Sequence, residues 1–479
     1  MHKETGLTFD DVLLVPKRSS IRSRSVVDTS TLLVPGIRMA IPIISSNMDT
    51  VTESSMAIAM AHEGGIGIVH RFLSIQQQAD LVQKVKRFEG FIVENPICVS
   101  PQLSIEEAGQ RMDDAGIGGL MVVDDKKHLL GIVTTRDILL APDRLKSVET
   151  VMKSQSQVIV ASEDEPFEEA RLKLHLHRIE KLPVVDGDNR VVGLITAQDV
   201  IKFHKHPLAT KDTKGRLRVG VAIGVREEDI KRAKTCVDAG ADVLVVDVAH
   251  GHSDHTIRMV EKLKKSFPDE PVIAGNVATP EGVRDLANAG ASAVKVGVGS
   301  GSICITRVVT GFGVPQLTVV AECAVVGHSM GIPIIADGGI RTSGDITKAL
   351  AAGASSVMLG SLLAGTDESP GAAVMRGGKR YKIVRGMASL TANVDRKSLD
   401  RHDELEDEEW GEIIPEGVEA IVPYRGNVAD ILHQLLGGLR SGMSYAGSKT
   451  IRELWKNAEF IRITDAGRKE SGVHDVNVL

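Results

Sequence analysis

Aromatic residues make up only 3% of this 479-residue chain, so any core it builds must rest on Val, Ile, Leu, Ala and Met. Cysteine is also scarce. Cys98, Cys236, Cys304 and Cys323 stand far apart, which excludes both a CxxC metal pattern and a disulfide framework. A reducing cytoplasm suits such a chain best. No apolar run reaches membrane-spanning length, and Met1-His-Lys-Glu lacks a signal-peptide core, so no membrane partner is expected. Positive charge is not in excess: the formal net charge is −6, which argues against nucleic acid held by bulk electrostatics. What remains, 42% hydrophobic and 25% charged residues, describes a soluble globular protein. Its length allows a large barrel plus a smaller module, or two to three ordinary domains.

Short β-rich apolar runs recur along the chain, each followed by a stretch of helical period. They are Ile41–Ser46, Gly65–His70, Arg218–Gly224, Val243–Asp247, Pro271–Ala274, Ala293–Val296, Pro333–Ala336 and Ser356–Leu359. Buried strands alternating with helices predict an α/β fold, a (β/α)8 TIM barrel. Candidate functional residues cluster where the runs end: Asn47, Asp247, Asn276, the Cys304 loop, Asp337 and Gly360. Barrel enzymes keep their active sites at that face.

The rhythm breaks once, between the second and third runs, over about residues 95–204. This insertion repeats itself: Gly116-Ile-Gly-Gly-Leu-Met-Val-Val-Asp124 with Gly131-Ile-Val-Thr-Thr-Arg-Asp137 answers Ile179-Glu-Lys-Leu-Pro-Val-Val-Asp186 with Gly193-Leu-Ile-Thr-Ala-Gln-Asp199. Each copy reads strand, turn, strand, helix start. The expected division is barrel over 1–92, an inserted module over 93–206 (halves about 93–149 and 150–206), and barrel again over 207–479. Linkers at Pro96 and from His206-Pro207 to Gly215 suit a module able to move relative to the barrel.

The most informative segment is Gly297-Val-Gly-Ser-Gly-Ser-Ile-Cys304-Ile-Thr-Arg307, directly after a strand-like run. Alternating glycines let backbone N–H groups close on a phosphate or nucleotide. A cysteine at the lip of such a loop, two residues before Thr306, is placed to act as a nucleophile. The alternative is a buried structural thiol in a tight turn, and spacing alone leaves both open.

That loop resembles the catalytic-loop signature of the IMP dehydrogenase/GMP reductase family, Gly-x-Gly-Ser-Ile-Cys-x-Thr-Arg. The resemblance runs from Gly6-Leu-Thr-Phe-Asp-Asp-Val-Leu-Leu14 to Glu470-Ser-Gly-Val-His-Asp-Val476. It implies that Cys304 is a nucleophile toward C2 of a purine nucleotide, GMP or IMP, with Thr306 and Glu416 as the proton relay. It implies substrate contacts at Ser302, Asp337, Gly339, Gly360, Ser361, Met387, Ser389 and Gly417. A nicotinamide cofactor would meet Asp247, Asn276, Gly297 and Gly299. A monovalent cation such as K+ would sit among Gly299, Gly301, Cys304, Glu470, Ser471 and Gly472. The inserted repeat is similar to a tandem pair of cystathionine-β-synthase (CBS) modules, which implies regulatory ATP- or GTP-type nucleotides at Thr134/Asp137 and Thr196/Asp199. Read from the residues alone, each Thr-x-x-Asp caps a helix. The family implies a homo-oligomer, a tetramer or an octamer.

Within the family the sequence points to the reductase. A dehydrogenase hydrolyses its covalent adduct and carries an Arg-Tyr pair on a mobile flap; the corresponding flap, about 391–414, has Arg401 followed by His402. Asn47 stands where dehydrogenases usually have Pro or Ala, and Val384 where they have a phosphate-binding Tyr. The expectation is NADPH-dependent conversion of GMP to IMP and ammonia. IMP dehydrogenase, with NAD and water and XMP as product, is the alternative, favoured by Glu470-Ser-Gly-Val-His-Asp475. A nucleotide-sensing regulator with weak catalysis is a second alternative, opposed by the intact Cys304, Thr306, Glu416 and Asp337.

Overall fold

The computed structural model describes residues 5–90, 92–94, 96–163, 165–198, 200, 206–401 and 414–473. Asp199 and His402 lie outside the described residues. The chain forms two compact units, one of residues 1–86, 208–210 and 217–479, the other of 87–207 and 211–216.

The first unit is a closed barrel of parallel strands: β1 (Ile43–Ser45), β2 (Ile66–Val69), β3 (Val219–Ile223), β4 (Val243–Asp247), β5 (Val272–Val277), β6 (Ala293–Val296), β7 (Ile334–Asp337) and β8 (Ser356–Leu359). Strand order follows chain order, and β8 closes on β1. All eight expected strands are present, with ends differing by a few residues at most.

Because side chains alternate across a strand, each apolar run serves two cores. One set (Ile44, Ile66, Ile68, Ala222, Val243, Val245, Ile273, Ala293, Ile335, Met358) fills the barrel interior. The other (Leu244, Val246, Val272, Ala274, Val294, Val296, Ile334, Ala336, Val357, Leu359) packs against the surrounding helices. A hairpin of Thr31–Val34 and Ile37–Met39 adds Leu33, Val34, Ile37 and Met39 to the interior cluster. Thr31 Oγ1 donates to the Ser355 carbonyl, just before β8, at 2.7 Å, so the hairpin plugs the N-terminal end. Chemistry is left to the opposite end.

The same alternation decides what lies there. Counting inward positions up from Val243 and Val245 reaches Asp247; from Ala293 it reaches Lys295; from Ile335 it reaches Asp337. Three charged side chains therefore crown the interior.

The second unit holds the duplicated segment. Each copy is a four-stranded sheet with one helix before its central hairpin. In the first, Gly119–Val123 and Leu129–Thr134 pair antiparallel, flanked by Cys98–Val99 and Lys153–Ser154. In the second, Lys181–Val185 and Val191–Thr196 pair antiparallel, flanked by Ala161–Ser162 and Val93–Glu94. The outer strands are exchanged: Val93–Glu94 precedes the first copy yet joins the second sheet. Met121, Val123, Leu129, Ile132, Val185, Val191 and Leu194 form one apolar cluster between the copies. Thr134 begins the helix Thr135–Leu139 with a capping box, its N–H and Oγ1 both donating to Asp137 Oδ2 at 2.9 and 2.7 Å. Thr196 ends its strand at the matching place. Among the described residues, no helix is long and apolar enough to cross a membrane.

Candidate active site

The glycine-rich loop after β6 is held open by glycine conformations and pinned by side chains. Gly297 (φ +135°) and Gly299 (φ +77°) adopt backbone angles that a side chain would strain. Arg307 lies across Gly299 and Gly313, and its Nη2 donates to the Val314 carbonyl at 2.6 Å. Gln316 Nε2 reaches the carbonyls of Val296 (3.2 Å) and Asp337 (3.0 Å), tying the loop to β7.

A strand-like zipper brings in residues more than a hundred positions away. Val418 N–H donates to the Ile303 carbonyl (3.0 Å) and Ile305 N–H to the Glu416 carbonyl (2.8 Å), with a bridge between Cys304 and Gly417. Gly417 packs closely here: an added Cβ would lie 3.1 Å from the Ser389 nitrogen and 3.3 Å from the Gly386 Cα, so the neighbouring backbone would have to give way slightly. The zipper sets the Glu416 carboxylate against the loop. Thr306 Oγ1 donates to Glu416 Oε2 at 2.8 Å and lies 3.1 Å from Cys304 Sγ. The result is a continuous thiol–hydroxyl–carboxylate chain.

Cys304 is half-buried, whereas burial pushes the Cys236 and Cys323 thiols up to about 12 and raises that of Cys98 as well. Those three are poor nucleophiles at neutral pH.

The charged crown forms the pocket floor. Lys295 Nζ donates to Asp247 Oδ1 (2.6 Å), Asp337 Oδ2 (2.7 Å) and Asn276 Oδ1. Asn276 Nδ2 donates to Asp337 Oδ2 (3.0 Å) and to the Gly297 carbonyl (2.8 Å); Asn47 Nδ2 donates to Asp247 Oδ2 (2.8 Å). Burial works against charge on Asp247, but Lys295 and Asn47 overcome it and hold the carboxyl below the usual range. Burial likewise opposes the Lys295 charge; its two carboxylate neighbours outweigh this and raise its pKa.

These groups line one pocket of about 300 Å³, within the range usual for small-ligand sites. It brings together Cys304, Thr306, Glu416, Asp337, Met387, Gly417, Asp247, Asn276, Gly297, Gly299 and Gly301 from the sequence-based set. Ser302, Gly339, Gly360, Ser361 and Ser389 are not in its lining. Ser302 and Ser361 nevertheless meet, with hydroxyl oxygens 3.2 Å apart, and Gly360 precedes the short helix Ser361–Ala364. Ser389 is buried, and its Oγ accepts from the Ala392 N–H at 3.4 Å at the start of the helix Leu390–Arg401. Glu470 ends the helix Asp465–Glu470, followed by Ser471 and Gly472, all exposed. Sequence reasoning passed over Lys295, Arg71, Ser46, Met48 and Met358, which also line the pocket. For Lys295 there was a signal: a charge inside an apolar run must find counter-charges when buried.

Comparison with known proteins agrees with this geometry. The family described as IMP dehydrogenase / GMP reductase domain matches residues 6–474. The chain is 55% identical to inosine-5'-monophosphate dehydrogenase of Nitrosopumilus maritimus, covering all of both chains. It is 49% identical to GMP reductase of Leishmania donovani, over 99% of this chain and 98% of that one. Among solved structures it is similar to a GMP reductase from Trypanosoma brucei, a cysteine-to-alanine variant in complex with guanosine 5'-monophosphate. There the TM-score is 0.85 with 45% identity, over 99% of this chain and 98% of that one. With a (β/α)8 barrel, a cysteine loop wired to a distant glutamate and this similarity over nearly its whole length, the chain belongs to the IMP dehydrogenase/GMP reductase family of oxidoreductases.

Proposed function

We propose that the chain is a GMP reductase, converting GMP to IMP and ammonia at the expense of NADPH. The observation that carries this reading is the unbroken Cys304–Thr306–Glu416 chain, which can empty and refill a proton without a water nucleophile. The Cys304 proton passes through the Thr306 hydroxyl to Glu416, leaving a thiolate to add to C2 of the base. Glu416 then returns that proton to the departing amino group, which leaves as ammonia. Asp337 accepts hydrogen bonds from the nucleotide ribose diol, with Oδ2 fixed by Lys295 and Asn276. Ser302 and Ser361, at a helix N-terminus beside Gly360, hold the phosphate together with Gly339. Met387 and Gly417 border the base, and Ser389 supports them as a helix cap.

The stretch of lining made by Asp247, Val248 and Ala249 suits a nicotinamide ribose, with Asp247 oriented by Lys295 and Asn47. NADPH, when bound, would supply a hydride to C2; the C2–S bond then breaks, releasing IMP and returning Cys304 as a thiolate that a solvent proton restores to the thiol. Gly297, Gly299 and Asn276 let the cofactor approach the Cys304 loop closely. In the second unit, Thr134 with Asp137 and Thr196 with Asp199 would bind regulatory adenine or guanine nucleotides. K+ at the carbonyls of the Cys304 loop, and assembly of copies into tetramers or octamers, complete the proposal.

A second reading, IMP dehydrogenase, draws support from the names of relatives in Nitrosopumilus maritimus and in Aquifex aeolicus, the latter 51% identical over 99% of this chain. Arg401, closing the helix Leu390–Arg401, favours it too. A paired assay separates the two. The expected result is NADPH oxidation with GMP, giving IMP and ammonia; XMP and NADH from IMP and NAD, with no NADPH oxidation on GMP, would overturn it. Absence of turnover with either pair would favour the regulator instead.

A further inference from the structure

Lys295 is 2% exposed and commits each of its three N–H donors: to Asp247, to Asp337 and to Asn276. The two carboxylates belong to different strands, β4 and β7, yet both reach one ammonium nitrogen. Gly275 on β5 makes room for the base of this side chain: an added Cβ there would lie 2.6 Å from the Lys295 carbonyl oxygen and 2.7 Å from Lys295 Cβ. Packing alone would accept an apolar chain of similar length here.

We propose that Lys295 is a positioning residue that links the two ligand sites, holding the Asp247 and Asp337 carboxylates in place so that each accepts a separate ribose diol. The inference rests on reading Asp337 as the substrate-ribose acceptor and Asp247 as the cofactor-ribose acceptor.

The physical argument is charge balance. Two half-buried carboxylates left to share a site without a cation repel each other, which favours a proton on one of them. A protonated carboxyl gives up acceptor capacity, and with it the bidentate hold on a diol. The remaining charged or titratable groups lining the pocket do not replace Lys295. Arg71 is the other cation in the lining; it contributes to the potential at Asp247 and lies 5.7 Å from the Phe72 ring centroid. Glu416 is committed to Thr306, and Cys304 to the same hydroxyl. Asn47 and Asn276 anchor one carboxylate each but bring no charge. One ammonium thus serves both halves of the pocket.

The test is equilibrium binding to the full chain from about pH 6.5 to about pH 9, with GMP and IMP as mononucleotides and NADPH and NADP as dinucleotides. Affinities are read as ratios to wild type, because the nucleotide phosphate itself titrates near pH 6 in every variant. Lys295→Met is expected to weaken both ligand classes at least tenfold at the acid end. The deficit shrinks as pH rises and the shared proton is lost. Lys295→Arg, which keeps the charge, is expected to hold a flat ratio. In Lys295→Met/Asp247→Asn the like charges are relieved, so mononucleotide binding recovers with a flat ratio while dinucleotide binding stays weak.

Should Lys295→Met fail to fold, the double variant carries the test alone, and unrecovered mononucleotide binding in it overturns the proposal. A Lys295→Met defect confined to one ligand class, or equal at every pH, also overturns it and leaves Lys295 as packing. If wild type binds neither mononucleotide, the ribose reading falls and the inference with it; if wild type binds and the ratios stay flat, only the inference falls.

Discussion

Exchanging Glu416 for Gln keeps an oxygen within reach of Thr306 but removes the ability to hold a proton. The backbone around it does not depend on the carboxylate: Glu416 N–H donates to the Ala388 carbonyl at 2.9 Å, and the Glu416 carbonyl accepts from Ile305. The variant should therefore fold and bind nucleotide with a KM within about threefold of wild type, since Asp337 is untouched. Turnover is another matter. A positioned acid–base group contributes about 10²–10⁴-fold, or about 3–5 kcal/mol of barrier. The 2.8 Å and 3.1 Å links to Cys304 are short enough to expect a loss of at least about 10²-fold in kcat. NADPH oxidation with GMP measures it in the steady state, and a single turnover isolates the chemical step. Thr306→Val breaks the same chain at its middle, so Thr306→Val/Glu416→Gln should be little worse than either single change. A Glu416→Gln kcat within about fivefold of wild type, with chemistry rate-limiting, would refute the relay.

Thiol alkylation at about pH 8 should modify Cys304 first and be slowed by bound nucleotide. With thiol pKa values near about 12, Cys236 and Cys323 hold on the order of 10⁻⁴ thiolate there, and their early labelling would contradict the site. Leu244→Ala, at a fully buried position between barrel and helices, should cost about 2–5 kcal/mol in denaturant unfolding. Asp137→Ala removes the partner of both Thr134 donors and should cost the second unit about 0.5–2 kcal/mol. If Asp137 also binds nucleotide, the same change abolishes any response of turnover to added ATP or GTP; an unaltered response would leave it a cap alone.

The barrel was legible because its strands are apolar on both faces, so each reads as an unbroken run between turn signals. Val243–Asp247, Ala293–Val296 and Ser356–Leu359 coincide with their strands residue for residue; at Ile41 and Pro271 apolar flanks extended the expected run past the hydrogen-bonded part. The duplicated segment was legible as repetition, but its exchanged two-residue edge strands were not, because so short a pairing leaves no periodicity. At the site, Cys304, Thr306 and Asp337 announce themselves by loop chemistry and strand ends. Glu416 does not: alone it reads as a surface carboxylate, and only the backbone zipper to Ile303 and Ile305 gives it a partner. Ser389, expected among the substrate contacts, is buried, and its hydroxyl accepts from the Ala392 N–H of the helix that follows. The Lys295 clasp required knowing which face of three strands points inward, a property of closure rather than of any local stretch.

The exchange of outer strands means that neither half of the duplicated segment is complete by itself. Cut the chain after the first half, at about residue 149, and its sheet would lose the border strand Lys153–Ser154 while Val93–Glu94 would have nothing to join. The apolar surface of Met121, Leu129 and Ile132 would be stripped bare at the same stroke. Inheritance must therefore treat the pair as indivisible: the two halves could drift in sequence, but neither could be lost without ruining the other.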